Sequence, residues 1–151
     1  MISTILVPHD GTEMSDKAFG KAVELAKAFG SSLILLHVLE EISVPFPMLI
    51  LGNDKVLMSR AKRDIRRQLE KGWDKFMEIK THEIEDQNLS LSGELRYGSA
   101  PDKILRFAKH NRIDFIVMGS RRLKGVSKLK ALGSVTRKVS EQADCPVLIV
   151  H

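Results

Sequence analysis

Two apolar runs with one helical segment between them constrain this chain most. Thr4-Ile5-Leu6-Val7 and Leu33-Ile34-Leu35-Leu36-His37-Val38 are continuous apolar runs rather than alternating ones, the pattern of strands covered on both faces. Between them Ala18, Ala22, Leu25, Ala26 and Phe29 recur at helical spacing, with Ser15 as the expected cap and Gly30 as the stop. Strand, helix and strand within the first 38 residues make a βαβ unit. Its strands run parallel and are joined by a right-handed crossover. A chain that opens this way is committed to a parallel sheet with helices on its faces.

The rest of the chain continues the alternation. From Glu40 to Asp54 the pattern breaks, with Pro45, Pro47 and Gly52-Asn53 marking a long surface loop. That loop is apolar for its position (Val44, Phe46, Met48, Leu49, Ile50, Leu51), so part of it is expected to pack on the domain, a ligand or a partner. A long helix follows from about Lys55 to Lys80, with Leu57, Ala61, Ile65, Leu69, Trp73 and Phe76 along its inner face. Leu89, Leu91 and Leu95 alternate with polar residues, which reads as a half-exposed edge strand closed by Tyr97-Gly98. Ser99 caps a third helix with Pro101 in its first turn, Ile104, Leu105 and Ala108 facing inward, and Asn111 at its end. Phe115 to Met118 is a fourth, buried strand; a helix opens at Ser134 with Val135, Val139 and Ala143 on one face; Val147 to Val150 is the last strand. The prediction is an α/β fold on a parallel twisted sheet, with residues 1–151 as one domain free of linkers and repeats.

Sheets of this kind take ligands beyond the carboxyl ends of their strands, where the strand order reverses. Two loops suit that place: Pro8-His9-Asp10-Gly11 after the first strand, and the loop that begins at Gly119 after the fourth. The second loop carries Gly119, Gly125 and Gly133 and ends at the Ser134 helix start. Strand, glycine-rich loop and helix start in that order suit phosphate: glycines let the backbone come close, and the first N–H groups of a helix point at an anion. Ser134 is a phosphate ligand or an ordinary helix cap, and a loop that turns twice is the plainer reading of the glycines. Neither G-x-x-x-x-G-K-[ST] nor G-x-G-x-x-G is present.

Composition narrows the partners. A net charge of +5 and a pI near 9.4 permit a nucleotide or nucleic acid. The basic residues are spread, however, and the densest group (Arg60, Lys62, Arg63, Arg66, Arg67) falls on the outer side of the long helix. With one Trp and one Tyr the chain lacks the aromatic and basic interleaving of single-strand binders, so nucleic acid is not expected. The single cysteine, Cys145, excludes an intrachain disulfide and reads as a small buried packing residue. No apolar run approaches the roughly 20 residues of a membrane span, and the opening MISTILVPHDG does not read as a signal peptide. A cytoplasmic location without membrane contact is expected. His9 and Asp10 are neighbours whose side chains leave a strand end on opposite sides, His37 reads as a satisfied histidine, and His9, His37, His82, His110 and Cys145 show no metal-ligand spacing. No base or nucleophile can be named, so no catalytic residue is assigned, and any hydrolysis of a bound nucleotide is expected to be weak or absent.

ILVPHDGTEMSDKA at the start, then LLHV, RYGSAPDKIL, DFIVMGSR, LGSV and DCPVLIV in that order, resemble the landmarks of the universal stress protein family over the whole chain. The resemblance implies a five-stranded parallel sheet of order 3-2-1-4-5 with helices on both faces, a Rossmann-like arrangement. It implies ATP binding through G-x-x-G-x9-G-[ST], whose first glycine matches Gly119 and whose final pair matches Gly133-Ser134. On that pattern Asp10 lies near the ribose or base, and Val38 offers backbone hydrogen bonds to adenine. Gly119, Gly133 and Ser134 hold the phosphates with Arg121, Arg122 and Gly125 in the loop between them, Pro8, Met118 and Val135 complete the expected nucleotide-binding set, and any Mg2+ is held mainly by phosphates and water. The sequence departs from the motif twice. Arg122 stands where the second glycine belongs, and the loop to Gly133 is one residue longer. A left-handed conformation at Arg122 would cost about 1 kcal/mol, whereas Arg121, Arg122 and Lys124 offer charge-assisted bonds to phosphate. The implied function is a nucleotide-binding regulator of the stress response, acting on an unidentified client. The alternatives are a nucleotide-free dimeric binding module and, less favoured, a slow ATPase or adenylyl or phosphoryl transferase. A homodimer is expected through Val147, Leu148, Ile149 and Val150, since that apolar edge is bare while the other is broken by polar residues.

Overall fold

The computed structural model describes residues 1–40, 55–120 and 132–151. Within them the chain runs β1 (Thr4–Pro8), α1 (Glu13–Phe29), β2 (Ser32–Leu39), α2 (Lys55–Glu83), a short 3-10 turn (Glu85–Gln87) and β3 (Leu91–Tyr97). It continues with α3 (Ala100–His110), β4 (Phe115–Gly119), α4 (Ser134–Gln142) and β5 (Val147–Val150). The five strands form one parallel sheet of order β3-β2-β1-β4-β5. The strand order that the family resemblance implied is therefore the observed one.

Burial follows the strand pleat. Ile5, Leu6 and Val7 of the central strand are completely buried, each contributing about 1.5–3 kcal/mol by its removal from water. Ile5 and Val7 pack with Ala18, Phe19, Ala22 and Ala26 of α1 on one face. Leu6 packs on the other face with Ile104 and Phe107 of α3 and Val139 of α4. Alternate side chains of a strand point to opposite sides, so one continuous apolar run serves both layers. Proline closes β1 without interrupting the ladder, because the next N–H, that of His9, donates to the Leu36 carbonyl at 2.9 Å.

Four local expectations are corrected. Thr12, not Ser15, is the N-cap of α1, its hydroxyl accepting the Ser15 N–H at 3.4 Å. Phe29 and Leu57 were expected to face inward but are 49% and 43% exposed. On α1 the apolar stripe instead turns through Phe19 and Val23, both buried. The N-cap of α4 is Gly133, which leaves Ser134 as the first helical residue and removes the capping role that the sequence left open for it. Cys145 is half-buried rather than buried, packed beside Val147 at the edge of the α3–α4 cluster. The Glu41–Asp54 loop, whose apolar residues were expected to pack, lies outside the described residues.

Candidate functional site

The chain leaves β1 toward β2 on one side and returns to β4 on the other, so the sheet order reverses between β1 and β4. A cleft opens there, at the carboxyl ends of the strands. The sequence-predicted residues Pro8, Asp10, Val38, Met118, Gly119 and Val135 all line it. Gly133 and Ser134 stand next to it at the start of α4 without lining it. Arg121, Arg122 and Gly125 lie outside the described residues. The lining also includes residues that the sequence did not single out for a site: Ser15 from α1, Leu36 from β2, Ala100 and Ile104 from α3, and Thr136 from α4.

The floor on the β1 side is a self-satisfied turn. Asp10 Oδ1 accepts the Thr12 N–H at 3.0 Å and the Thr12 hydroxyl at 2.6 Å, and also a very short bond from the Ser15 hydroxyl. The Ser15 hydroxyl oxygen in turn accepts the Asp10 N–H at 3.1 Å. Aspartate bonding the backbone two residues on is a local turn device. Here it is locked further by the first turn of α1. Gly11, between them, has φ +81°, which glycine adopts without strain. Burial alone would raise the Asp10 carboxyl; the bonds from Ser15 and Thr12 outweigh it and hold the group below its ordinary value.

The His9 ring makes its hydrogen bonds to other partners. Its Nδ1 accepts the Gly11 N–H at 3.1 Å and its Nε2 lies 3.0 Å from Asp16 Oδ1. The first bond requires a lone pair on Nδ1, so the second is an Nε2–H donation. Asp16 also receives Lys80 Nζ at 2.8 Å, and Lys80 pairs with Glu83 at 3.0 Å. His37 Nδ1 donates to the His9 carbonyl at 2.6 Å, and its ring stacks on Trp73. Both histidines are thus occupied in holding backbone and neighbouring side chains, as expected for His37.

The opposite wall is differently made. Gly119 ends β4 close against α1: a Cβ there would collide with the carbonyl group of Met14. The glycine is therefore needed for helix–sheet contact, whatever else it does. Thr136, buried in the first turn of α4, donates its hydroxyl to the Gly119 carbonyl at 3.4 Å and ties the two elements together. Gly133 has φ −60° and ψ 157°, open to any residue, and a Cβ there would meet nothing within 4 Å among the described residues. As a glycine it has no side chain with which to cap the helix. Asp102 of α3 receives Lys138 of α4 at 2.7 Å, fixing α4 against the wall that holds Ala100 and Ile104. That bond holds the Asp102 carboxyl below its ordinary value. The cleft thus combines an anchored carboxylate, apolar walls and the start of a helix whose first N–H groups have no partners within the helix. Such a set can seat a polar ligand with an apolar part and an anionic end. Among the described residues no group of three or more His, Cys, Asp or Glu side chains is placed to hold a metal ion, and no helix is long and apolar enough to cross a membrane.

Residues 1–151 match the model of the universal stress protein family. The universal stress protein YxiE of Bacillus subtilis is 33% identical over 151 residues, covering the whole of both chains. Among solved structures, the universal stress protein UspA from Lactobacillus plantarum superposes with a TM-score of 0.74 at 25% identity, over 99% of this chain and 98% of its own. An Arabidopsis thaliana family member with AMP bound shares the fold at a TM-score of 0.67 and 19% identity, over 98% of this chain and 90% of its own. So does a universal stress protein in complex with cAMP, at 0.61 and 21%, over 99% and 96%.

Proposed function

The chain belongs to the universal stress protein family, and from that premise we propose that the cleft between β1 and β4 binds an adenine nucleotide, ATP above all. The observation that carries the reading is convergence. Pro8 and Asp10, Val38, Met118 and Gly119, and Val135 come from four separate segments and meet in one cleft at the switch point. Relatives of the same fold hold AMP and cAMP. In this reading Asp10 takes the ribose, Val38 the base, and Gly133, Ser134 and the α4 start the phosphates. The apolar walls from Met118, Ile104 and Val135 would enclose the adenine. A divalent ion would accompany the phosphates, held by them and by water. The protein acts as a cytoplasmic regulator of the stress response, its bound state read by a client protein.

Purified protein denatured in acid should release adenine nucleotide detectable by mass spectrometry, and calorimetric titration of the stripped protein with ATP should saturate at one site per chain. Absence of both would remove the reading. Arg122→Gly, which restores the family motif, then tells whether Arg122 adds a phosphate contact or obstructs one: affinity falls in the first case and rises in the second.

The second reading, a nucleotide-free module working through a dimer, draws on β5. This strand lies at one end of the sheet, paired among the described residues with β4 alone, and Val147, Leu148, Ile149 and Val150 are all half-exposed. The opposite edge, β3, carries Ser92, Glu94 and Arg96, with Glu94 and Arg96 paired at 2.6 Å. Unpaired apolar edges invite strand pairing. A homodimer through β5 is compatible with either reading, and sedimentation of the wild type against Leu148→Lys tests it.

A further inference from the structure

We propose that His9 is a positioning residue that makes ligand capture in the cleft sensitive to pH, because only its neutral ring can hold the Gly11 amide and with it the Asp10–Thr12 turn. The proposal rests on reading the cleft as a nucleotide site and adds a mode of regulation to it. It starts from the polarity of two bonds. Gly11 N–H donates to Nδ1 at 3.1 Å, and Nε2–H donates to Asp16 at 3.0 Å. A protonated imidazole is a donor at both nitrogens. The Asp16 bond survives protonation; the Gly11 bond cannot, and two N–H groups are left facing each other.

Gly11 sits between the two residues that build the cleft floor. Asp10 Oδ1 is held by the Thr12 amide and hydroxyl, one residue beyond Gly11. Displacement of the Gly11 amide therefore pulls Thr12 away from Asp10 and turns the carboxylate from its place. His9 is held on several sides: the residue is 4% exposed, its ring lies 4.8 Å from the Phe76 ring, and its backbone carbonyl is tied to His37 Nδ1. The strain of protonation falls on the turn.

The charged groups around the ring come from every neighbouring element. Asp16 faces it from α1, Lys80 from α2 with Glu83 behind, and Asp10 from the turn, while His37 reaches its backbone from β2. Burial lowers the His9 pKa below the ordinary 6.5, Asp16 and Asp10 oppose this in part, and Lys80 reinforces it. The neutral ring and the closed turn therefore prevail near pH 7, and the switch works on the acid side of 6.5. Acid weakens binding.

The test uses the full chain. In the ligand-free protein, amide NMR followed from pH 8 to pH 5 should show the Gly11 N–H shifting with the same midpoint as the His9 ring. In His9→Asn, whose side-chain oxygen replaces Nδ1 as acceptor and does not titrate, the Gly11 signal should stay flat. AMP affinity should fall several-fold more between pH 7.5 and pH 5.5 in the wild type than in His9→Asn, the difference cancelling the titration of the phosphate itself. His9→Gln, which replaces only the Nε2 donor, should bind AMP weakly at both pH values. A Gly11 amide that ignores the His9 titration overturns the proposal, as does an equal pH dependence of AMP binding in wild type and His9→Asn. Should AMP and ATP bind at no pH, the nucleotide reading fails, and the Gly11 amide alone decides whether His9 governs the turn.

Discussion

Gly119 and Gly133 border the same cleft, yet a methyl group added to each would meet very different surroundings. At Gly119 it would strike the Met14 carbonyl; at Gly133 it would meet open space among the described residues. The same contrast runs through the two walls. On the β1 side Asp10, Thr12 and Ser15 satisfy one another, with His9, Asp16 and Lys80 behind them. On the α4 side the helix begins at a glycine in an ordinary conformation that offers no capping side chain. Polar groups already paired can position a ligand but have little more to give it. A helix start left uncapped still has its N–H groups to offer. One glycine is there for helix–sheet contact, and the other has open space around it among the described residues.

Substitutions at the two glycines can break this contrast. The largest effect is expected for Gly119→Ala, which forces α1 and β4 apart and should lower stability by about 1–3 kcal/mol, read as a lower denaturation midpoint. Next is Gly133→Val: if the open space there belongs to phosphate, ATP affinity should drop at least tenfold, about 1.4 kcal/mol, in a titration of otherwise stable protein. Unchanged affinity would remove phosphate from that place. Asp10→Asn weakens the bonds from Thr12 and Ser15, costing about 1 kcal/mol at neutral pH because solvent screens the exposed carboxylate. Asp10 has a lowered pKa in the folded chain, so its stabilisation is present above the ordinary 3.8 and is lost as pH falls through the folded value. The gap between wild type and Asp10→Asn in chemical denaturation should therefore narrow progressively in acid. The smallest effect is Gly133→Ala, expected to change stability by less than about 0.5 kcal/mol. A large loss there would show that the glycine serves the fold after all.

The sheet was legible because four of its strands are written as apolar runs and β3 as an alternating one, patterns that are local, and the order came with the family landmarks. Half of the cleft was legible for the same reason: Pro8, Asp10, Val38, Met118, Gly119 and Val135 sit at strand ends and a helix start, where topology puts ligands. Ser15 was misread because a serine before an apolar helical stripe usually caps it. The spacing of Asp10, Thr12 and Ser15, an aspartate two residues ahead of a threonine and five ahead of a serine, was the signal for the observed turn. Ala100, Ile104 and Thr136 were not foreseen, since a residue that walls a cleft looks like any inward residue until the helices are placed. Lys80 is the clearest omission. It continues the inner face of Trp73 and Phe76 at a four-residue step and is buried. A lysine on an apolar stripe signals a waiting carboxylate, but which one depends on α1 lying alongside.

That lysine also bears on how the molecule breathes. Helix α2 has 29 residues, about 43 Å at 1.5 Å per residue, whereas the eight residues of β2 extend roughly 27 Å. Its contacts with the sheet core, Trp73, Phe76 and Met77, lie in its second half, with the buried Lys80 beyond them, while Val56 and Leu57 near its start are 63% and 43% exposed. Cooperative units with few buried apolar contacts open far below the global unfolding free energy. Native-state hydrogen exchange should therefore show the amides of the first three or four turns of α2 exchanging in a sub-global step while β1, β2 and β4 stay protected. The end of the helix beside His9 would exchange with the sheet, so that one helix is divided between two levels of stability.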